Sequence, residues 1–284
     1  WGAGHARAFG AGVAEGDVLH WVDADVVLDP RHVEALARWH HLIPDAVAMG
    51  SLRLVESWHV TPDRLVSAPC VPDLFPRTRP HQWVEEVLEA TDDLRRADHL
   101  AFRVHVGATA SVRRELYVEA GGVAASLQLG QDTEFGYRLG QAGAVFVPDR
   151  AARAWHLGLT TMMRSRDVST RYRLAVLADR MPLPRRYRGT GTGRIWSVPL
   201  VQAVVDVGRE RFDVVRGCVD RLLSSSLEDL HVRLVGPWET LHDGLDDLDG
   251  PHGSADGLDG TAVLPDPDGH RHELRLLQAN YAGE

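Results

Sequence analysis

The sequence predicts an α/β chain, and three observations predict it. Short apolar runs alternate with stretches of helical periodicity along the 284 residues. The composition, 44% hydrophobic and 25% charged, is that of a globular protein able to bury a core in one large or two modest domains. A strand pattern over 18–22 also runs directly into two carboxylates spaced i, i+2, Asp23 and Asp25.

The elements follow in order. Residues 5–14 read as a helix that Gly16 ends. After the strand at 18–22, Pro30 marks a helix start, and Val33, Leu36, Ala37 and His40 supply that helix's apolar spacing. Residues 45–55 read as a strand. Residues 61–100, rich in Pro, Arg and acidic residues, read as an excursion with a helix over 84–97. A strand over 103–107 leads into the small-residue segment 107–111, then a helix over 113–120 stops at Gly121-Gly122. A helix over 132–142 has Asp132 at its start and Gly143 at its end, and a strand over 144–148 follows. An Arg-rich amphipathic helix covers 162–181. Pro182, Pro184 and the glycines of 189–193 make 182–198 a linker. Beyond it lie a strand over 199–207, a helix over 212–223, a strand over 231–235, an acidic, Gly-rich, His-bearing stretch over 242–272 and a strand over 273–277. The expected domains are therefore 1–181 and 199–284.

Charge and targeting signals exclude several classes. A formal net charge of −9 argues against nucleic acid or an anionic membrane surface as the main partner. All 31 basic residues are Arg. No apolar run approaches the ~18 residues of a transmembrane helix, and no signal peptide is visible. Cys70 and Cys218 lie far apart without metal-ligand spacing and read as free thiols in a reducing compartment. The chain opens on Trp1, already close to the Asp-x-Asp strand, so it is expected to be cut from a longer polypeptide.

In an extended segment Asp23 and Asp25 project to the same side. At a strand end they can grip one divalent cation. A cation held by hard oxygen ligands can also hold a diphosphate, as a nucleotide-sugar transferase requires. Asp-x-Asp is common, and a pair of solvated carboxylates on a turn is the plain alternative. Two later segments bear on the choice: Gly130-Gln131-Asp132-Thr133-Glu134-Phe135-Gly136-Tyr137-Arg138-Leu139, and, after the strand at 144–148, Ala154-Trp155-His156-Leu157-Gly158.

This ordered set resembles the family 2 glycosyltransferases of the GT-A fold over about residues 1–160. The resemblance implies a mixed, mostly parallel, Rossmann-like sheet flanked by helices, without its opening strands, and a partial, degenerate second module at 199–284. It implies metal-dependent transfer of a sugar from a nucleotide-sugar donor to an acceptor hydroxyl, with inversion. Asp25 would ligate Mn²⁺ or Mg²⁺ directly, Asp23 would contact ribose or reach the metal through water, and His156 would be the third ligand. Asp132 would be the general base, a role compatible with an N-cap because a helix N-terminus favours a carboxylate. Gln131 stands where the family usually has Glu. Gln131, Gly107 and Trp155 fall on the acceptor side, with a core position as the alternative for Trp155. Ala6-Arg7-Ala8-Phe9-Gly10 looks like the family's Ala-Arg-Asn-x-Gly, with Ala8 in place of Asn, so Arg7 would contact the nucleotide or brace the Asp-x-Asp loop. Glu134 is a fallback base, Arg138 a brace, Trp21 a core residue, and the other histidines solvated.

The implied partners are a nucleotide-sugar donor, most commonly a UDP-sugar, and a glycan or lipid-linked acceptor. The implied setting is bacterial polysaccharide or glycolipid assembly, in the cytoplasm or peripheral at the inner membrane face. A non-catalytic GT-A-like scaffold or partner subunit is the alternative that Gln131 and the missing opening strands favour. A nucleotidyltransferase would call for a Gly-rich, basic loop that this chain does not show.

Overall fold

The computed structural model describes residues 2–158, 160, 166–184, 187–188, 196–208, 210–236 and 272–276. The chain divides into two compact units, Trp1–Leu177 and Ala178–Glu284.

In the first unit, α1 (Ala3–Val13) leads to β1 (Val18–His20) and, through a turn, to β2 (Val26–Leu28). Next come α2 (His32–Leu42) and β3 (Ala46–Val55). The excursion holds α3 (Pro62–Ser67), β4 (Thr78–Pro80) and α4 (Gln82–Ala90), with 3₁₀ turns at Val71–Leu74 and Ala101–Val104. Then follow β5 (Ala110–Arg113), α5 (Arg114–Glu119), α6 (Gln131–Gln141), β6 (Val145–Leu157) and α7 (Arg166–Arg180).

The strands form one mixed sheet in the order β1-β5-β3-β6-β2, with β4 also paired to β3. It is the α/β arrangement expected, a mixed sheet flanked by helices. Its strand pairing differs from the expected parallel majority: β3–β6 is the parallel pair and the other four are antiparallel. β1, β3 and β6 do run in one direction, but β5 is inserted the opposite way between β1 and β3. Leu19, Val47, Met49, Val112, Leu116, Phe135 and Leu139 make the main core, between this sheet and helices α5 and α6.

Three local readings are corrected. The segment expected as a strand at 103–107 is a 3₁₀ turn and a loop, and the strand starts only at Ala110. The strand expected at 144–148 continues to Leu157, so His156 stands on a strand and not on a loop. Gly50 faces Asp149 while Ser51 faces Arg153, so β6 bulges between its two halves. On α2, the buried stripe is His32, Ala35, Leu36 and His40, whereas Val33 is 58% exposed. The histidines occupy positions an apolar side chain would fill because a neutral imidazole can bury its ring once a nitrogen finds a partner.

In the second unit, β7 (Val201–Asp206), α8 (Phe212–Leu223) and β8 (Leu230–Gly236) form a strand–helix–strand unit with parallel strands, and β9 (His272–Leu276) pairs antiparallel to β8. Val207, Val215, Val219, Leu230, Val232 and Leu234 form its core. Arg188 is buried there, with both Asp229 carboxylate oxygens 2.8 and 2.6 Å from Nη1 and the Trp196 ring 4.9 Å away. The glycines of the expected linker and most of 242–272 lie outside the described residues. Cys70 and Cys218 are free and exposed. Among the described residues no helix is long and apolar enough to cross a membrane.

Candidate active site

Four segments far apart in sequence meet at one point beyond the C-terminal end of β1. Arg7 lies on the buried face of α1 and is only 8% exposed. Its Nη2 donates to Asp23 Oδ1 at 2.9 Å, and its Nη1 donates to Asp132 Oδ1. Burial works against the Arg7 charge, but the Asp132 and Asp23 carboxylates outweigh it and raise its pKa above the ordinary value. Gly107 closes the group from the loop before β5. A Cβ at that position would overlap Arg7 Nη1 and Asp132 Oδ1, so only glycine lets the backbone come this close.

Asp132 sits in the first turn of α6, one residue inside a helix that starts at Gln131. The N-cap is Gly130, at φ +83°, rather than Asp132. The carboxylate therefore stands near the positive end of the helix while remaining free to point at Arg7. Two residues hold this arrangement, Trp21, expected only as a core residue, and His105, expected in solvent. His105 Nδ1 donates to the Asp132 carbonyl at 2.8 Å, and Trp21 Nε1 donates to the Arg7 carbonyl at 3.2 Å. His105 is fully enclosed, and burial lowers its pKa against the pull of Asp132. Its ring also meets Phe135 edge-on, as do those of Trp21 and Tyr117. The aromatic spacing of 117, 135 and 21 was the available signal, but it is non-local and no sequence period carries it.

The two aspartates of Asp-x-Asp do not share a side. The Val26 amide donates to the Asp23 carbonyl at 3.0 Å, closing a turn between β1 and β2. That turn sends Asp23 to Arg7 and Asp25 to His156. His156 Nε2 lies 3.7 Å from Asp25 Oδ2. The pair is held by antiparallel β2–β6 register, Val26 opposite His156, and by a 2.8 Å bond from the Leu157 amide to the Asp25 carbonyl. His156 is 8% exposed and its Nδ1 has no hydrogen-bond partner among the described residues.

These two side chains suit a divalent cation. Their separation is too long for a hydrogen bond and within the span of two ligands each ~2.1 Å from one ion. The expected threefold set does not form, because Asp23 is engaged by Arg7. Among the described residues no three His, Cys, Asp or Glu side chains gather as a metal cluster.

The other expected residues divide. Gln131 is 7% exposed and its Oε1 has no partner among the described residues, which leaves a buried acceptor beside Asp132. Glu134, the fallback base, is instead buried in a bidentate pair with Arg138 at 2.8 and 2.9 Å, and Arg138 also holds the Ala120 carbonyl. Trp155 is 3% exposed and packs against Phe75, Val55 and Val71. It takes the core position given as its alternative to the acceptor side, and it lies on the other face of the strand from His156 because neighbours on a strand alternate faces. The histidines expected in solvent are in part buried: His32, His40 and His105 are all under 5% exposed.

No family model matches the sequence, and no curated protein matches it. Among solved structures the chain is similar to a crystal structure of GalNAc-T7 with UDP, GalNAc and Mn²⁺, at 15% identity and a TM-score of 0.42. The match covers 66% of this chain and 36% of that one, so the chain spans about a third of that protein's length.

Proposed function

We propose that the first unit is a family 2-type glycosyltransferase that moves a sugar from a nucleotide-sugar donor to an acceptor hydroxyl, with inversion. The observation that carries this reading is the convergence of Arg7, Asp23, Gly107 and Asp132 on one point, with Asp25 of the same β1–β2 turn facing His156 of β6.

Asp25 and His156 are the residues that would hold Mn²⁺ or Mg²⁺, which when bound offsets the charge of the donor diphosphate. Asp23, on the inner side of the turn, contacts the nucleoside while Arg7 keeps it in place. Asp132 takes the acceptor's proton. As the acceptor oxygen bonds to the anomeric carbon, the bond from that carbon to the phosphate oxygen breaks, and the nucleoside diphosphate leaves with the electron pair. One base and one in-line attack suffice, so the configuration inverts. Gln131 Oε1, lacking a partner, receives a hydrogen from a second acceptor hydroxyl. A UDP-sugar and a glycan or lipid-linked acceptor are the leading substrates, at the cytoplasmic face of a bacterial membrane. The second unit, a strand–helix–strand among its described residues, serves as a degenerate companion module.

The scaffold reading draws on two specific features: Arg7 already pairs with both Asp23 and Asp132, and position 131 is an amide. Calorimetric titration with UDP, GDP, dTDP and CDP, with and without Mn²⁺, separates the two. Metal-dependent binding of a nucleoside diphosphate that Asp25→Ala abolishes is the expected outcome. Failure of every nucleotide to bind would leave the scaffold reading.

A further inference from the structure

On the far side of β1 from the Asp-x-Asp turn's ion pairs, three histidines gather that the proposed reaction does not use. His20 of β1 stacks on His32 of α2 with ring centroids 5.1 Å apart and planes 27° from parallel. His40, two turns further along α2, lies within the electrostatic reach of His20. His32 and His40 are 0% and 2% exposed.

Each ring has one nitrogen bonded and the other stranded. His20 Nδ1 donates to the Ala110 carbonyl at 3.0 Å, and His32 Nδ1 to the Arg153 carbonyl at 3.0 Å. A carbonyl can only accept, so these nitrogens carry the hydrogens and both Nε2 atoms are bare. His40 Nε2 is 2.8 Å from Ser111 Oγ. His20 Nε2, His32 Nε2 and His40 Nδ1 are buried without a partner among the described residues. A proton added to His20 or His40 there would make a buried N–H with no acceptor among the described residues, and for His32 the Arg153 and Ala152 carbonyls favour a proton but burial outweighs them.

The surrounding charges give little relief. Asp29, before α2, is the carboxylate nearest His32, but its Oδ2 is bonded to Arg153 at 2.7 Å and its Oδ1 to the Arg31 amide at 3.1 Å. Arg113 of β5 donates to the His40 carbonyl and, with exposed His41, opposes charge on His40. Asp149, the other carboxylate against α2, is taken by Arg38 and Trp39. From β3, Gly50 lies so close that a Cβ there would stand 2.6 Å from His32 Cε1, so the cluster has no room to spread.

We infer that His20, His32 and His40 form a proton-sensitive latch: neutral, they seat β1 on α2; mild acid protonates them only where β1 has lifted off α2, and so favours the open form of β1 and, with it, of the Asp23–Asp25 turn. The directions of titration agree. Burial is the first cause lowering the pKa of all three, and His40 falls to about 4. In the unfolded chain each would titrate near 6.5. A group with a depressed folded value binds more protons when unfolded, so stability is present above pH ~6.5 and is lost as pH falls from there. The window runs down to about 4 for His40.

The test is ring-nitrogen NMR on the intact protein from pH 7.5 to 5, with amide hydrogen exchange corrected for intrinsic rates. In the closed form the three rings are expected to stay neutral over this range. Amides of β1 and α2 should exchange faster at pH 5.5 while those of β8 keep their protection. His40 alone should raise the unfolding constant about tenfold between pH 7.5 and 5.5; His40→Gln should remove that share, and His32→Gln should also weaken the acid dependence. Ring nitrogens that take up protons over this range while the amides of β1 keep their protection, exchange that rises equally in β1 and β8, or variants with unchanged acid dependence would each overturn the inference. The NMR arm stands even if a variant does not fold.

Discussion

Arg7 is the residue on which the site turns. It is the sole cation that touches both Asp23 and Asp132 among the described residues, and it is buried while its partners are 40% and 31% exposed in their side chains. Partial exposure of the partners lets water screen them, so the pair is worth less than a dry one. Arg7→Met keeps most of the volume and leaves two carboxylates facing each other. It should cost about 1–2 kcal/mol in urea unfolding and abolish nucleotide binding, with the loss of binding exceeding what the stability change explains. A variant that binds nucleotide normally would reduce Arg7 to a structural brace of the Asp-x-Asp loop. His156 and Asp25 illustrate the same logic: neither position is unusual in isolation, and only their 3.7 Å approach gives them a joint use.

At the level of elements, α6 carries the chemistry through the way it starts. Gly130 at φ +83° turns the chain so that Gln131 and Asp132 fall in the first turn, and a Cβ there would stand 3.0 Å from Arg173 Cγ. Gly130→Ala places a non-glycine residue in the left-handed region, at about 1–2 kcal/mol. The expected result is a lower unfolding midpoint together with weaker donor binding, as the first turn shifts relative to Arg7. An unchanged midpoint would mean that the loop relaxes to negative φ. The β6 bulge is the second such device. It separates the half of the strand that pairs with the start of β3 from the half that presents His156 to Asp25.

For the whole molecule, each unit has its own core and its own buried charge. In the second unit, Asp229 compensates Arg188, which is 3% exposed. Asp229→Ala leaves that guanidinium buried without its carboxylate, a change worth roughly 3 kcal/mol or more. Hydrogen exchange should show β7 and β8 losing protection while the ring-nitrogen spectrum of His20, His32 and His40 keeps its pattern. Loss of that pattern as well would show that the two units share one unfolding transition.

Local signals were enough to read most elements. The helices at α1, α5, α6 and α8 and the strands β3, β7 and β8 were legible within a few residues, because caps, glycines and apolar periods act over one or two turns of chain. The site residues were legible by type: Arg7, Asp23, Asp25, Asp132, Gly107 and His156 all lie at or beside the candidate site. Their partners were not. An extended strand would have put both aspartates on one side, but the turn at 23–26 separates them, since the β2–β6 pairing that sets it involves residues 130 positions away. His32 looked like a surface residue because sequence shows a polar ring, and His40 fitted the helix's apolar spacing by position alone, whereas burial depends on whether a carbonyl or hydroxyl from β5 or β6 arrives to meet the ring. What the sequence alone determined was the order of strands and helices and the set of side chains able to do chemistry, because these follow from near-neighbour sterics and hydrogen bonding. What the tertiary structure decided was which carboxylate meets Arg7, which meets His156, and which rings lose their water, because those outcomes rest on contacts closed across the sheet.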